Sequence, residues 1–138
     1  MAGDNPSTSG KDTNQTVLVV DDEPMARALL RLMLVRAGFN VMEAEDGFDA
    51  LEKVRINRPD IVLLDVMMPG MDGFTVCETI REDAETADLP VIMFSAKTDL
   101  NSINQGLRAG ADVYLTKPIS PEELTRHVRE VLNRQNVK

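Results

Sequence analysis

Residues 17–22 read VLVVDD and residues 61–65 read IVLLD, so two apolar runs each end on aspartate. Unbroken apolar runs rich in β-branched residues are typical of strands buried on both faces, as in a parallel sheet. Open α/β sheets keep their binding sites at the C-terminal ends of such strands. If the two strands are neighbours, Asp21, Asp22 and Asp65 meet at one edge, where like charges repel unless a cation compensates them. The two runs therefore predict a parallel sheet, and the carboxylate cluster at its edge indicates either a wrong strand assignment or a site for a cation and an anion together.

The composition fits one soluble domain and excludes several classes of function. The chain has 138 residues, of which 43% are hydrophobic and 28% charged, as in ordinary globular proteins. A net charge of -8 argues against direct nucleic-acid binding, and no apolar stretch is long enough to predict a membrane span. We expect no secretory signal, because the N-terminus has no basic and apolar segments of that kind. The chain has a single cysteine, Cys77, and so cannot form an internal disulfide; together with the N-terminal sequence, this favours a reducing, cytoplasmic location.

The rest of the pattern alternates strands and helices five times. Residues 1–15 are polar and predict a disordered N-terminal tail, whereas residues 16–136 form the predicted domain. The predicted strands are residues 17–20, 41–44, 61–64, 91–94 and 113–115. Five βα units with short connections predict an α/β fold, a five-stranded parallel (βα)5 sheet that is doubly wound by helices on both faces. A chain of this length favours such an open sheet over a closed barrel.

Apolar residues at helical spacing predict which helix faces are buried. The first helix carries Met25, Leu29, Leu32 and Met33, and the second carries Phe48, Leu51, Val54 and Ile56. The charged run over residues 78–85, which includes Arg81, predicts a solvated face. Residues 101–106 contain Asn, Ser and Gly, which are poor helix formers, so the fourth helix should be weak.

Four predicted strands end on functional groups, namely Asp21 with Asp22, then Asp65, Ser95 and Lys117. Mg²⁺ prefers oxygen ligands, and one or two carboxylates with a carbonyl suffice to hold it. A carboxylate can also attack phosphorus to form an aspartyl phosphate, whose formation requires a cation, a lysine and hydroxyl donors around the transferred group. Taken singly, these residues could be helix caps or ordinary surface groups. Their coincidence at neighbouring strand ends favours a phosphoryl-transfer site.

Four motifs in order carry a resemblance to a known family. They are VVDDE at 19–23, LLDVMMPGMDG at 63–73, SAK at 95–97 and GADVYLTKP at 110–118. Over residues 16–135 the chain resembles a response regulator receiver domain, the phospho-accepting half of bacterial two-component signalling. The resemblance implies a flavodoxin-like sheet with strand order 2-1-3-4-5.

The resemblance also implies roles for the acidic residues. Asp65 would be the phosphoacceptor. Asp22 would bind Mg²⁺ directly, Asp21 would bind it through water, and Asp65 and the main-chain carbonyl of Met67 would complete the ligand set.

Further roles follow from the resemblance for the switch residues. Ser95 would turn its hydroxyl toward the phosphoryl group, Lys117 would be the lysine of the site, and Tyr114 would be the aromatic rotamer switch. The Lys117–Pro118 peptide bond would be cis.

The expected partners follow from the same resemblance. A histidine kinase or phosphotransfer protein would donate the phosphoryl group. A downstream protein or domain, or a second copy of the chain, would bind the face formed by helix 4, strand 5 and helix 5. We expect a switch rather than a turnover enzyme, and the sequence fits either a free-standing regulator or the receiver portion of a longer protein. Two alternatives are a receiver-like interaction module that is never phosphorylated, and an aspartyl-phosphate phosphatase. Many such phosphatases place a second aspartate where this chain has Met67, which counts against that alternative.

Overall fold

The computed structural model describes residues 15–137, within which five strands alternate with five helices. The strands are β1 (Thr16–Val20), β2 (Asn40–Ala44), β3 (Ile61–Asp65), β4 (Val91–Ser95) and β5 (Val113–Thr116). The helices are α1 (Pro24–Arg36), α2 (Gly47–Asn57), α3 (Gly73–Glu82), α4 (Leu100–Ala109) and α5 (Pro121–Val137). The predicted tail lies outside the described residues except for Gln15, whose carbonyl accepts a hydrogen bond from the Asn40 N–H. Among the described residues, no helix is long and apolar enough to cross a membrane.

The sheet is parallel, and its strand order is β2-β1-β3-β4-β5. This confirms the predicted α/β fold and strand order. Every residue of β3 and β4 is buried, because helices cover both faces of these central strands. Alternate side chains of β1 therefore enter two separate cores. Val17 and Val19 pack with α1 and α5, whereas Leu18 and Val20 pack with α2 and α3.

The predicted buried faces of α1 and α2 are wrong in part. In α1, Leu30 and Leu34 are buried, while Met25, Leu29 and Leu32 are exposed. Apolar residues surround this helix on all sides, so their spacing fits more than one face and does not identify the buried one. In α2, Val54 and Ala50 are buried as the sheet requires, and Leu51 packs against the same core. The two apolar residues Phe48 and Ile56 are instead exposed.

The charged run at the end of α3 is also not wholly solvated. Arg81 is only partly exposed, and its guanidinium donates hydrogen bonds to the carbonyls of Gly110 and Leu89. It also forms an ion pair with Asp112, whose carboxylate accepts a hydrogen bond from the Val91 N–H. Arg81 thereby links α3 to the loops that flank β4 and β5. The sequence prediction missed this because every one of these partners except Leu89 is more than twenty residues away in the chain.

Candidate functional site

The strand order places the predicted site residues together at one edge of the sheet. β1, β3 and β4 are adjacent, so Asp21 directly after β1, Asp65 at the end of β3 and Ser95 at the end of β4 are neighbours. All three are buried, with 1%, 4% and 0% of their surface exposed. Polar groups this deeply buried require partners or a function. Lys117 follows β5 and extends across the edge toward Asp65.

The Asp65 carboxylate interacts with a main-chain amide and with a lysine. Its Oδ1 accepts a hydrogen bond of 3.2 Å from the Met67 N–H, and the same oxygen lies 3.8 Å from Lys117 Nζ. Lys117 Nζ also lies 4.9 Å above the centre of the Phe94 ring, a cation–π contact that helps to fix its position. The lysine is therefore directed at the carboxylate from the far side of β4.

The three aspartates crowd one another. Asp21, Asp22 and Asp65 each place a carboxylate oxygen within 4.8 Å of the other two. Burial raises the pKa of Asp65 from its usual 3.8 to about 6. Lys117 and the Met67 N–H oppose this rise, while the charges of Asp21 and Asp22 add to it. The carboxylate is thus poorly stabilised as an anion by the protein alone.

The donor set fits a hard divalent cation. Asp21 Oδ1 accepts from the Glu23 N–H, but its Oδ2 is buried and has no hydrogen-bond partner. A buried carboxylate oxygen without a donor is costly, and a cation would satisfy it. Three carboxylates offer hard oxygen ligands, which suit Mg²⁺, and Asp22 is exposed and so open to a hydrated ion.

The segment after β4 connects the two predicted switch residues. The Lys97 N–H donates to Ser95 Oγ at 3.0 Å, and the Tyr114 hydroxyl donates to the Lys97 carbonyl at 3.0 Å. Ser95 and Tyr114 are therefore joined through the main chain of one residue. The Lys117–Pro118 peptide bond is cis, which confirms that expectation.

Gly73, the first residue of α3, packs against the end of the strand that carries Asp65 and was not singled out from the sequence. A Cβ atom at this position would lie 2.5 Å from the main-chain oxygen of Asp65 and 2.8 Å from the Cα of Val66. The Gly73 N–H donates to the Val66 carbonyl at 2.9 Å, which fixes this close approach. A glycine at the start of a helix gives no signal of such a contact, because the neighbour belongs to another element.

Comparison with known proteins agrees with this geometry. The family model described as the response regulator receiver domain matches residues 17–129. The chain belongs to this family. Receiver domains of this family are phospho-accepting switches of two-component signalling.

Curated relatives and solved structures extend the comparison. The DNA-binding response regulator MtrA of Mycolicibacterium smegmatis is 45% identical over 120 residues, which are 87% of this chain and 51% of that protein. The alkaline phosphatase synthesis transcriptional regulatory protein PhoP of Bacillus subtilis is 40% identical over 90% of this chain and 51% of its own length. This receiver domain thus spans about half the length of the curated relatives it matches. A putative response regulator from Chloroflexus aurantiacus is 38% identical with a TM-score of 0.84, covering 88% of this chain and 99% of that one.

Proposed function

We propose that this receiver domain accepts a phosphoryl group on Asp65 in a Mg²⁺-dependent reaction. The observation that carries the proposal is the position of Asp65, buried beside two further carboxylates and 3.8 Å from Lys117 Nζ. The donor is the phosphohistidine of a histidine kinase or of a phosphotransfer protein. A donor of this kind implies a cytoplasmic location for the receiver domain.

In the transfer, a carboxylate oxygen of Asp65 forms a bond to phosphorus as the bond from phosphorus to the donor's imidazole nitrogen breaks. The imidazole keeps the electron pair and is reprotonated from solvent. Lys117 supplies positive charge beside the phosphoryl oxygens, where negative charge is greatest in the transition state. The Met67 N–H holds the attacking carboxylate in place.

Asp21, Asp22 and Asp65 would hold the Mg²⁺ ion, with the Met67 carbonyl as a further ligand. When bound, Mg²⁺ neutralises part of the charge on the carboxylates and on the phosphoryl oxygens. Ser95 then provides the hydroxyl that turns to the new phosphoryl group. Its hydrogen bond from Lys97 is the contact that must rearrange.

The response is carried to the face formed by α4, β5 and α5, where a partner or a second copy binds. Two leucines of α4, Leu100 and Leu107, are 70% and 46% exposed and lie two turns apart on one side of the helix. Exposed large apolar residues on one side of a helix favour a protein partner. We therefore propose a signalling switch rather than a turnover enzyme, and direct nucleic-acid binding is not part of the proposal.

Labelling with acetyl phosphate tests the site. We expect wild-type protein to be labelled in Mg²⁺ and not in chelator, and Asp65→Asn to remain unlabelled. Asp88→Asn is the matched control, because Asp88 is exposed and precedes β4 at the opposite edge of the sheet. Equal labelling of Asp65→Asn and wild type would overturn the proposal. Absence of labelling in the wild type would favour an unphosphorylated interaction module, and turnover of p-nitrophenyl phosphate would favour a phosphatase.

A further inference from the structure

A buried glycine lies inside α4, where glycine is otherwise unfavourable. Gly106 is in the interior of the helix, three residues before its end, and is buried. Glycine in a helix interior destabilises the helix relative to alanine, since it has more backbone freedom to lose. Its dihedral angles are helical, so backbone conformation does not require glycine here. The space around Gly106 provides a different reason.

The side chains of β4 and β5 occupy the place that a Cβ atom would take. A Cβ at residue 106 would lie 2.8 Å from Cδ2 and 3.2 Å from Cε2 of the Tyr114 ring, and 2.9 Å from Met93 Sδ. Met93 and Tyr114 are register partners in the β4–β5 ladder, so both present side chains to the same face of the sheet. We call the surface formed by Gly106 and Met93 the ring seat.

The ring seat determines where the tyrosine hydroxyl is held. With the ring against Gly106, the hydroxyl donates to the Lys97 carbonyl at 3.0 Å. The Lys97 N–H donates in turn to Ser95 Oγ. A ring displaced from the seat would rotate about χ1, because an aromatic side chain has no flexible end that could yield instead. That rotation carries the hydroxyl away from Lys97 and releases the segment that contains Ser95.

We propose that Gly106 is a positioning residue for Tyr114, and that its missing side chain sets the tyrosine rotamer and thereby orders the segment after β4. The regulatory part of this proposal rests on the proposed function, since it concerns the response of Ser95 to phosphorylation. The structural part stands independently of it.

Tyrosine fluorescence tests the structural part directly. Tyr114 is the single tyrosine of the chain, which has no tryptophan, so the intrinsic emission reports on this ring alone. In metal-free protein we expect Gly106→Ala to increase the quenching of Tyr114 by acrylamide, because the ring moves into solvent. Gln105→Ala is the matched control, since Gln105 is exposed on the same helix and its substitution should leave quenching unchanged. Unchanged quenching in a folded Gly106→Ala protein would overturn the proposal.

A double-mutant cycle separates the ring contact from helix propensity. Gly106→Ala should lower the urea midpoint when Tyr114 is present, and raise it when Tyr114 is replaced by alanine. Met93 is flexible and can then move aside, so the higher helix propensity of alanine prevails. We expect a non-additivity of about fivefold or more in the unfolding equilibrium constant, as is usual for residues in contact. In a Tyr114→Phe background, the midpoint should still fall, because the ring remains. Additive effects would contradict the proposal.

Beryllofluoride with Mg²⁺, an analogue of the phosphoryl group, tests the regulatory part. Gly106→Ala should bind it about fivefold or more tightly than wild type, because the segment held by the hydrogen bond from Lys97 to Ser95, which must rearrange on binding, is already released. Gln105→Ala should bind it as the wild type does. If the wild type itself does not bind, the proposed function fails and the ring seat is unaffected. If the wild type binds and Gly106→Ala binds equally or more weakly, the regulatory part fails alone.

Discussion

Replacing Asp65 by asparagine should stabilise the metal-free protein, and the gain should depend on pH. The substitution keeps the shape of the side chain and an oxygen that can accept from the Met67 N–H. It removes a negative charge that lies beside Asp21 and Asp22 in a buried site. A residue central to the proposed activity therefore opposes folding when it is ionised.

The magnitude follows from the pKa of Asp65, which burial raises from 3.8 to about 6. A difference of that size corresponds to about 3 kcal/mol of free energy of unfolding once the carboxylate is fully ionised. Between pH 3.8 and about 6 the folded protein retains a proton that the unfolded chain has lost. The stability of the wild type therefore falls as the pH rises through this window and levels off above it. The gain from Asp65→Asn should grow by about 1–1.5 kcal/mol between about pH 5 and about pH 8.

Urea unfolding in chelator, followed by circular dichroism at several pH values, measures this gain. Asp88→Asn serves again as the control, because removal of an exposed charge should change stability little and with no step near pH 6. Mg²⁺ should stabilise the wild type and reduce its difference from Asp65→Asn, since the ion binds the folded state. A difference between wild type and variant that is constant with pH, or that shrinks as the pH rises, would refute the reasoning.

Three further predictions concern two residues that contact Asp65 and the buried thiol of α3. Gly73→Ala should lower the free energy of unfolding by about 1–3 kcal/mol, as overpacking does, because the added Cβ would press on the main chain of Asp65. It should slow acetyl-phosphate labelling for the same reason. Normal stability and labelling would contradict the close approach. Lys117→Gln should raise the pKa of Asp65 further and reduce labelling, since the lysine opposes protonation of that carboxylate. Labelling that is unaltered across pH would count against the role of Lys117. Burial raises the pKa of the Cys77 thiol to about 11. A thiol reagent near neutral pH should therefore modify Cys77 only in denaturant. Rapid modification of the native protein would disprove its burial.

The strand ends that carry Asp21, Asp65 and Ser95 were predictable from sequence because each one terminates a buried apolar run. The apolar run before Asp65 is typical of a central strand buried on both faces. Because parallel strands all place their C-terminal ends at one edge of the sheet, the side chains at those ends lie close together. The Lys117–Asp65 contact follows from the same rule, although Lys117 follows β5, which lies two positions away from β3 in the sheet. The roles assigned to Asp21, Asp22, Met67, Ser95 and Tyr114 came from the family resemblance, and stay predictions that labelling and substitution can test.

The buried face of α1 could not be predicted, since Leu29 and Leu30 are equally apolar and only the sheet decides between them. Contacts such as those of Arg81, Gly73 and Gly106 could not be predicted either. In each case the residue type has an ordinary local interpretation, and the deciding neighbour lies in another element. Periodicity reports on a segment's own geometry and not on the shape of the surface against which the segment packs.

The low helix propensity of α4 suits this helix to respond to the proposed phosphorylation. Asn101, Ser102, Asn104 and Gly106 together cost roughly 2–3 kcal/mol of helix propensity relative to alanine. The helix is held by local and tertiary contacts, which include its Asp99 cap, the hydrogen bond of Ser102 to that cap, and the Tyr114 ring. An element that depends on its neighbours to this degree has alternative arrangements within a few kcal/mol, which is the range that one charge-assisted contact can supply. Under the proposed function, a change at Ser95 would pass through the Lys97 main chain to Tyr114, and would so reach a helix of low intrinsic propensity.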